Sequence, residues 1–152
     1  MQPVLISATI LNFFIGSAIF RIFFKRRYLF SDRFGYTLTS IASAITSLSL
    51  GVSIYLLNPE NIVIQGIVLI CSVGIGILFG LMVNTQTVIA GVFNGGVGGI
   101  MGVMLGAVGL NPALCGLPMT IFTEQAMVLF FTFIGLVLHL VTAGLLFLAL
   151  KS

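Results

Sequence analysis

"GVFNGGVGGIMGVMLGAVG", residues Gly91 to Gly109, is apolar apart from one asparagine, yet eight of its nineteen residues are glycine. In water each glycine costs a helix roughly 1 kcal/mol relative to alanine. Placed on a helix, Gly91, Gly95, Gly98, Gly99, Gly102, Gly106 and Gly109 collect within an arc of roughly 100°, and only Gly96 falls off it. A smooth glycine face lets a second backbone approach closely in lipid, gaining dispersion and Cα–H···O contacts. Backbone hydrogen bonds are not surrendered to water inside hydrocarbon, so the glycine penalty is milder there. The stretch therefore predicts a transmembrane helix that acts as a packing spine.

Partner faces are readable elsewhere. Ser40, Ser43, Ser47 and Gly51 share one side of an earlier apolar run, with Ala44 beside them, and Gly76 and Gly80 form a small-xxx-small pair. These faces suit a bundle with the glycine-rich helix near its centre. Three uses of the stripe stay open: packing within one monomer, packing between protomers, or a mobile helix in a transport cycle. A phosphate or dinucleotide loop is excluded, since no strand precedes the glycines and no lysine follows them.

The rest of the chain agrees with a membrane setting. It has 152 residues, 59% of them hydrophobic and 6% charged, and its mean hydropathy is +1.27. Soluble domains carry about a quarter charged residues, and six basic plus three acidic side chains could not cover a soluble surface of this size. A span needs about 20 apolar residues. Five windows qualify: Pro3 to Phe24, Tyr36 to Leu57, Ile62 to Val83, Val88 to Leu110 and Phe122 to Leu150. The predicted fold is an all-α integral membrane protein, one polytopic domain over residues 1–152, with the glycine-rich segment as the fourth of five transmembrane helices. The first window has no basic leader and no small-residue cleavage site, so it is expected to stay as a span. Cys71 and Cys115 fall at different depths, which predicts two free thiols.

Five of the six basic residues lie between Arg21 and Arg33, a cluster flanking a span rather than a nucleic-acid surface. Lys25, Arg26, Arg27 and Arg33 are expected to meet anionic lipid headgroups. Together with Lys151 they place the first loop and the C-terminus in the cytoplasm and the N-terminus outside, in what is expected to be a bacterial cytoplasmic membrane. "NPEN" (58–61) and "NPALCGLPMT" (111–120) then lie outside. "NTQT", Asn84 to Thr87, lies inside, where it either caps two helix ends or lines a cytoplasmic mouth.

Polar residues within spans are the default functional candidates. His139, the only histidine, sits near the middle of the fifth window. It shares a helix face with Glu124, Gly135 and Thr142, with Thr132 at the edge. It could relay a proton, bind a soft metal ion or bond a neighbouring carbonyl. Glu124 is roughly 22 Å away along the helix, too far to form an acid–base pair, and belongs in the first turn. Asn94 is expected to make an interhelical hydrogen bond. Met101, Met104, Met119 and Met127 with Cys115 form a loose soft-ligand population, although methionine is an ordinary membrane residue.

Catalysis is disfavoured by three acids, one histidine, no HExxH and no paired carboxylates; no cofactor or metal is assigned. Two functions fit: a transport or permeation protein acting as an oligomer, or a non-catalytic subunit or assembly factor of a larger membrane complex. A narrower third is handling of copper(I) or another soft metal. The expected partners are the bilayer and either further copies of the chain or a larger complex, not nucleic acid.

Overall fold

Five helices form the molecule: α1 (Gln2–Arg26), α2 (Asp32–Leu57), α3 (Ile62–Gly80), α4 (Thr85–Leu110) and α5 (Glu124–Ala149). The computed structural model describes residues 2–29, 31–59, 61–116 and 123–151. Every regular element among them is helical, including single 3-10 turns at Arg27–Leu29 and Pro112–Cys115. All five long helices are long and apolar enough to cross a membrane.

Their limits differ from the hydropathy windows where capping chemistry, not hydropathy, decides. α2 starts at Asp32 rather than Tyr36, with an acid in its first turn where the helix dipole favours it. α3 ends at Gly80 rather than Val83, and α4 begins at Thr85 rather than Val88. "NTQT" is thus a cap and first turn. The Asn84 side chain accepts from the Thr87 amide at 2.9 Å, and the Asn84 amide donates to the Thr87 hydroxyl oxygen at 3.0 Å. That hydroxyl also reaches the Gly80 carbonyl at 2.7 Å, satisfying an end group of α3 as well. α5 starts at Glu124, with Thr123 accepting from the Ala126 amide. Phe122, Glu60 and residues 117–120 lie outside the described residues.

α2, not α4, occupies the centre. It packs on all four other helices and buries thirteen residues, including Ser43, Ser47, Ser49 and Ser53. Small side chains all round α2 let neighbours approach from every side, whereas the α4 glycines cover one arc, leaving Ile89, Phe93, Met101 and Met104 exposed. The seven stripe glycines are all buried. They divide between two neighbours. A Cβ at Gly91 would overlap the Gly76 carbonyl, and one at Gly95 would come within 2.5 Å of the Ser72 carbonyl oxygen, both on α3. Gly99 also faces Ser72. Gly98 and Gly102 face α2, where an added Cβ would lie 2.6 Å from the Ala44 oxygen and 2.5 Å from the Leu48 oxygen. Gly106 abuts Tyr55 of α2, and Gly109 abuts Phe131 of α5. Gly96, off the stripe, would meet only Val73 at an ordinary 3.5 Å.

α1 and α5 pack on the remaining faces of α2, with α5 also touching α4 and α1 touching α3. Each buries a single stripe: Leu5, Ala8, Asn12, Gly16, Ile19 and Phe23 on α1, and Val128, Thr132, Gly135, His139 and Leu146 on α5. They run parallel, and their C-terminal ends meet where the Arg26 guanidinium donates to the Leu150 carbonyl at 2.7 Å. Asn84 donates to Asp32 at 3.0 Å, so the first loop, the α3–α4 connection and the C-terminal end of α5 share one end of the bundle, the basic end.

Candidate functional site

Where α1, α2 and α5 meet, a seam runs the length of the bundle. Toward the N-terminal ends of α1 and α5 it is closed by Leu5, Val52, Leu56 and Val128. Toward the basic end it is closed by Ile19, Phe23, Leu38, Ala42 and Leu146, backed by Phe79 and Met82. Between these apolar clusters the seam is polar. Asn12 is 1% exposed, His139 0% and Ser49 1%.

Their hydrogen bonds run in one direction. The Ser53 hydroxyl donates to the Ser49 carbonyl at 2.8 Å, so its oxygen is left to accept. Asn12 Nδ2 donates to it at 3.1 Å. This turns Asn12 Oδ1 toward His139 Nδ1, 3.0 Å away. An amide oxygen only accepts, so the pattern assigns the ring hydrogen to Nδ1 and leaves Nε2 a bare acceptor. Nε2 is buried and has no partner; nor do Ser49 Oγ and Thr46 Oγ1 on the same seam, or Ser40 Oγ elsewhere on α2. A Cβ built on Gly16 would lie 2.7 Å from the Thr46 methyl, which marks how closely α1 meets α2 there.

Two grooves approach the seam from opposite sides of α1. One, about 840 Å³, runs between the N-terminal halves of α1 and α5, with Ser7 and Thr132 as its polar lining. The other, about 480 Å³, lies between α1, α2 and α3 and is lined by Gly16, Ser17, Arg21 and Thr46 among apolar residues.

The remaining sequence candidates scatter. Asn94 does not bridge helices: its Nδ2 donates to the Ala90 carbonyl one turn back at 2.8 Å, the local alternative open to short polar side chains. Thr132 and Thr142 likewise donate to Val128 and Leu138 in their own helix. Thr132 is buried and Thr142 half-buried. Glu124 is exposed in the first turn of α5. Lys25, Arg26 and Arg33 are exposed at the basic end, and the Arg27 guanidinium lies 4.5 Å over the Phe24 ring. Met101 and Met104 face outward, and Cys71 is exposed on α3. Met119 and the Cys115 side chain lie outside the described residues. Among those described, no three His, Cys, Asp or Glu side chains converge.

Sequence reasoning missed Asn12, Ser49 and Ser53. One signal was available: Asn12 is the single amide in the first apolar window, and an amide among apolar side chains needs a partner. No family model, curated protein or solved structure matches this chain.

Proposed function

We propose that the chain is an integral membrane protein, N-terminus outside and C-terminus in the cytoplasm, that moves a small solute along the α1–α2–α5 seam. The observation that carries this reading is the buried Ser53–Asn12–His139 chain between two apolar closures. Polar groups are costly at that depth and occur there chiefly to serve a passage or a structural bond. A purely structural bond would not leave three further polar atoms along the seam without partners. The polar stretch between the two apolar closures, with a groove on either side of α1, supports a passage in which α1 is the element to move. The glycine-rich α4, in this reading, is the packing spine that fixes α2 and α3 while α1 shifts. Five helices enclose one narrow seam, which favours action as a homo-oligomer.

The test is flux into proteoliposomes, measured for water, ammonia, protons and potassium. Wild type should pass at least one of them, and Ser53→Leu, which blocks the seam, should abolish it while the protein remains monodisperse. No flux of any of the four would leave the chain as a non-catalytic subunit of a larger complex. For orientation, with both native cysteines replaced, thiols engineered at Gln2 and Asn61 should react with an impermeant reagent from outside, and one at Arg27 should not.

A further inference from the structure

The seam's polar atoms also define what it can hold. We propose that His139 Nε2 is the acceptor of a mid-seam binding site for a small uncharged hydrogen-bond donor, the size of water or ammonia, seated over Gly135; the proposal rests on the transport reading of this same seam. Three observations converge on it.

The first is polarity. Asn12 holds the ring hydrogen on Nδ1, so Nε2 presents a lone pair and rejects any group that can only accept. The other unpartnered atoms of the seam, Ser49 Oγ and Thr46 Oγ1, can accept as well as donate.

The second is space. His139 follows Gly135 by one turn on the same buried stripe of α5, and helical side chains lean back toward the preceding turn. Gly135 is buried, yet a Cβ built on it would meet nothing within 4 Å. A buried opening one helical turn from a bare, buried acceptor is a setting in which a water-sized molecule with polar partners is held. The groove between α1 and α5 reaches Thr132, one turn short of this point.

The third is charge. Asp32 and Glu124 are exposed in the first turns of α2 and α5, and no acid among the described residues lies along the seam's polar stretch. A cation at Nε2 would have no counter-charge there, and an anion would face a lone pair. Burial of an unpaired charge is prohibitive in such a place. What remains is a neutral donor.

The chain's single histidine makes the test direct. Protein labelled with ¹⁵N-histidine, reconstituted in lipid, should show Nδ1 protonated and Nε2 unprotonated but hydrogen-bonded. The decisive variant is Gly135→Ala, whose methyl enters the open space without touching the protein, so the fold is kept. Gly144→Ala, exposed and equally unobstructed, is the control. In Gly135→Ala the Nε2 resonance should move to that of a free lone pair and flux should fall at least tenfold; in Gly144→Ala neither should change. Adding ammonium chloride against potassium chloride at one pH separates the donors: a shift of Nε2 assigns ammonia, and an unmoved Nε2 with a cross-peak to water assigns water. A protonated Nε2, or an Nε2 resonance identical in wild type and Gly135→Ala, would overturn the site. An Nε2 response to Gly135→Ala with no wild-type flux would keep the site and discard transport.

Discussion

In the unit formed by α2, α3 and α4, a Cβ added at Gly76, Gly91, Gly95 or Gly102 would run into the backbone of the facing helix. In α5 the same atom added at Gly135 or Gly144 would meet nothing within 4 Å. The contrast extends to how each group is held. α4 lies backbone to backbone on α2 and α3, whereas α1 and α5 touch α2 more lightly. They are tied in through the Ser53–Asn12–His139 bonds and bordered by open grooves. Close-packed backbones have no small adjustment available to them, because carbonyls do not rotate out of the way as side chains do. Side-chain hydrogen bonds can break and reform. One side of the bundle is therefore held by backbone on backbone, the other by side chains.

The largest expected effect tests the first half of that contrast. Gly102→Leu and Gly91→Leu force a side chain against fixed carbonyls, at the upper end of the roughly 1–3 kcal/mol that overpacking costs, or beyond. Both should fail to yield monodisperse protein in detergent, while Gly96→Leu should purify normally. Equal melting temperatures for all three would erase the difference between the two regions.

The next effect tests the second half. Asn12→Leu leaves His139 Nδ1–H without its acceptor, a loss of about 1 kcal/mol for an interhelical bond of this kind. His139→Leu should cost about the same. The double variant should lose less than the sum of the two, because neither polar partner is then stranded. Strict additivity in thermal unfolding would show that the two side chains do not act together.

A smaller effect has opposite signs in the two regions. Gly144→Ala should raise stability by up to about 1 kcal/mol, since it gains helix propensity at no steric cost. Gly76→Ala, with the Gly91 backbone already in the way, should lower it. Matching signs in a thermal-shift assay would contradict the close approach of α3 and α4. The smallest effect is at Met104, exposed on the outer face of α4: Met104→Leu should stay within about 0.5 kcal/mol of wild type and leave flux unchanged.

How much of this was readable in the sequence depends on how local each signal is. The glycine stripe is a periodic pattern in one segment, and periodicity reports which residues share a face. It does not report which helix lies opposite, so Gly91 and Gly95 against α3 could not be told from Gly98 and Gly102 against α2. Nor could it show that α2, with serine, threonine and alanine on several faces, would take the centre. His139 stood out as a lone histidine in an apolar run, but its partner lies 127 residues away and depends on α1 and α5 being parallel neighbours. Asn94 misled for the reverse reason: its carbonyl acceptor was in its own helix, one turn back, and a lone polar letter in a span does not say which it will choose.

The bond between Asn12 and His139 also sets an order of events in time. A ribosome adding about 5–20 residues per second needs on the order of ten seconds to make the 127 residues that separate them. For that interval the first helix carries an amide whose oxygen has no histidine to receive, while α2, α3 and α4 are already able to close on one another. α5 thus completes a contact that α1 has held open since it was made, and a nascent chain interrupted before residue 139 is left with an unanswered polar group at Asn12.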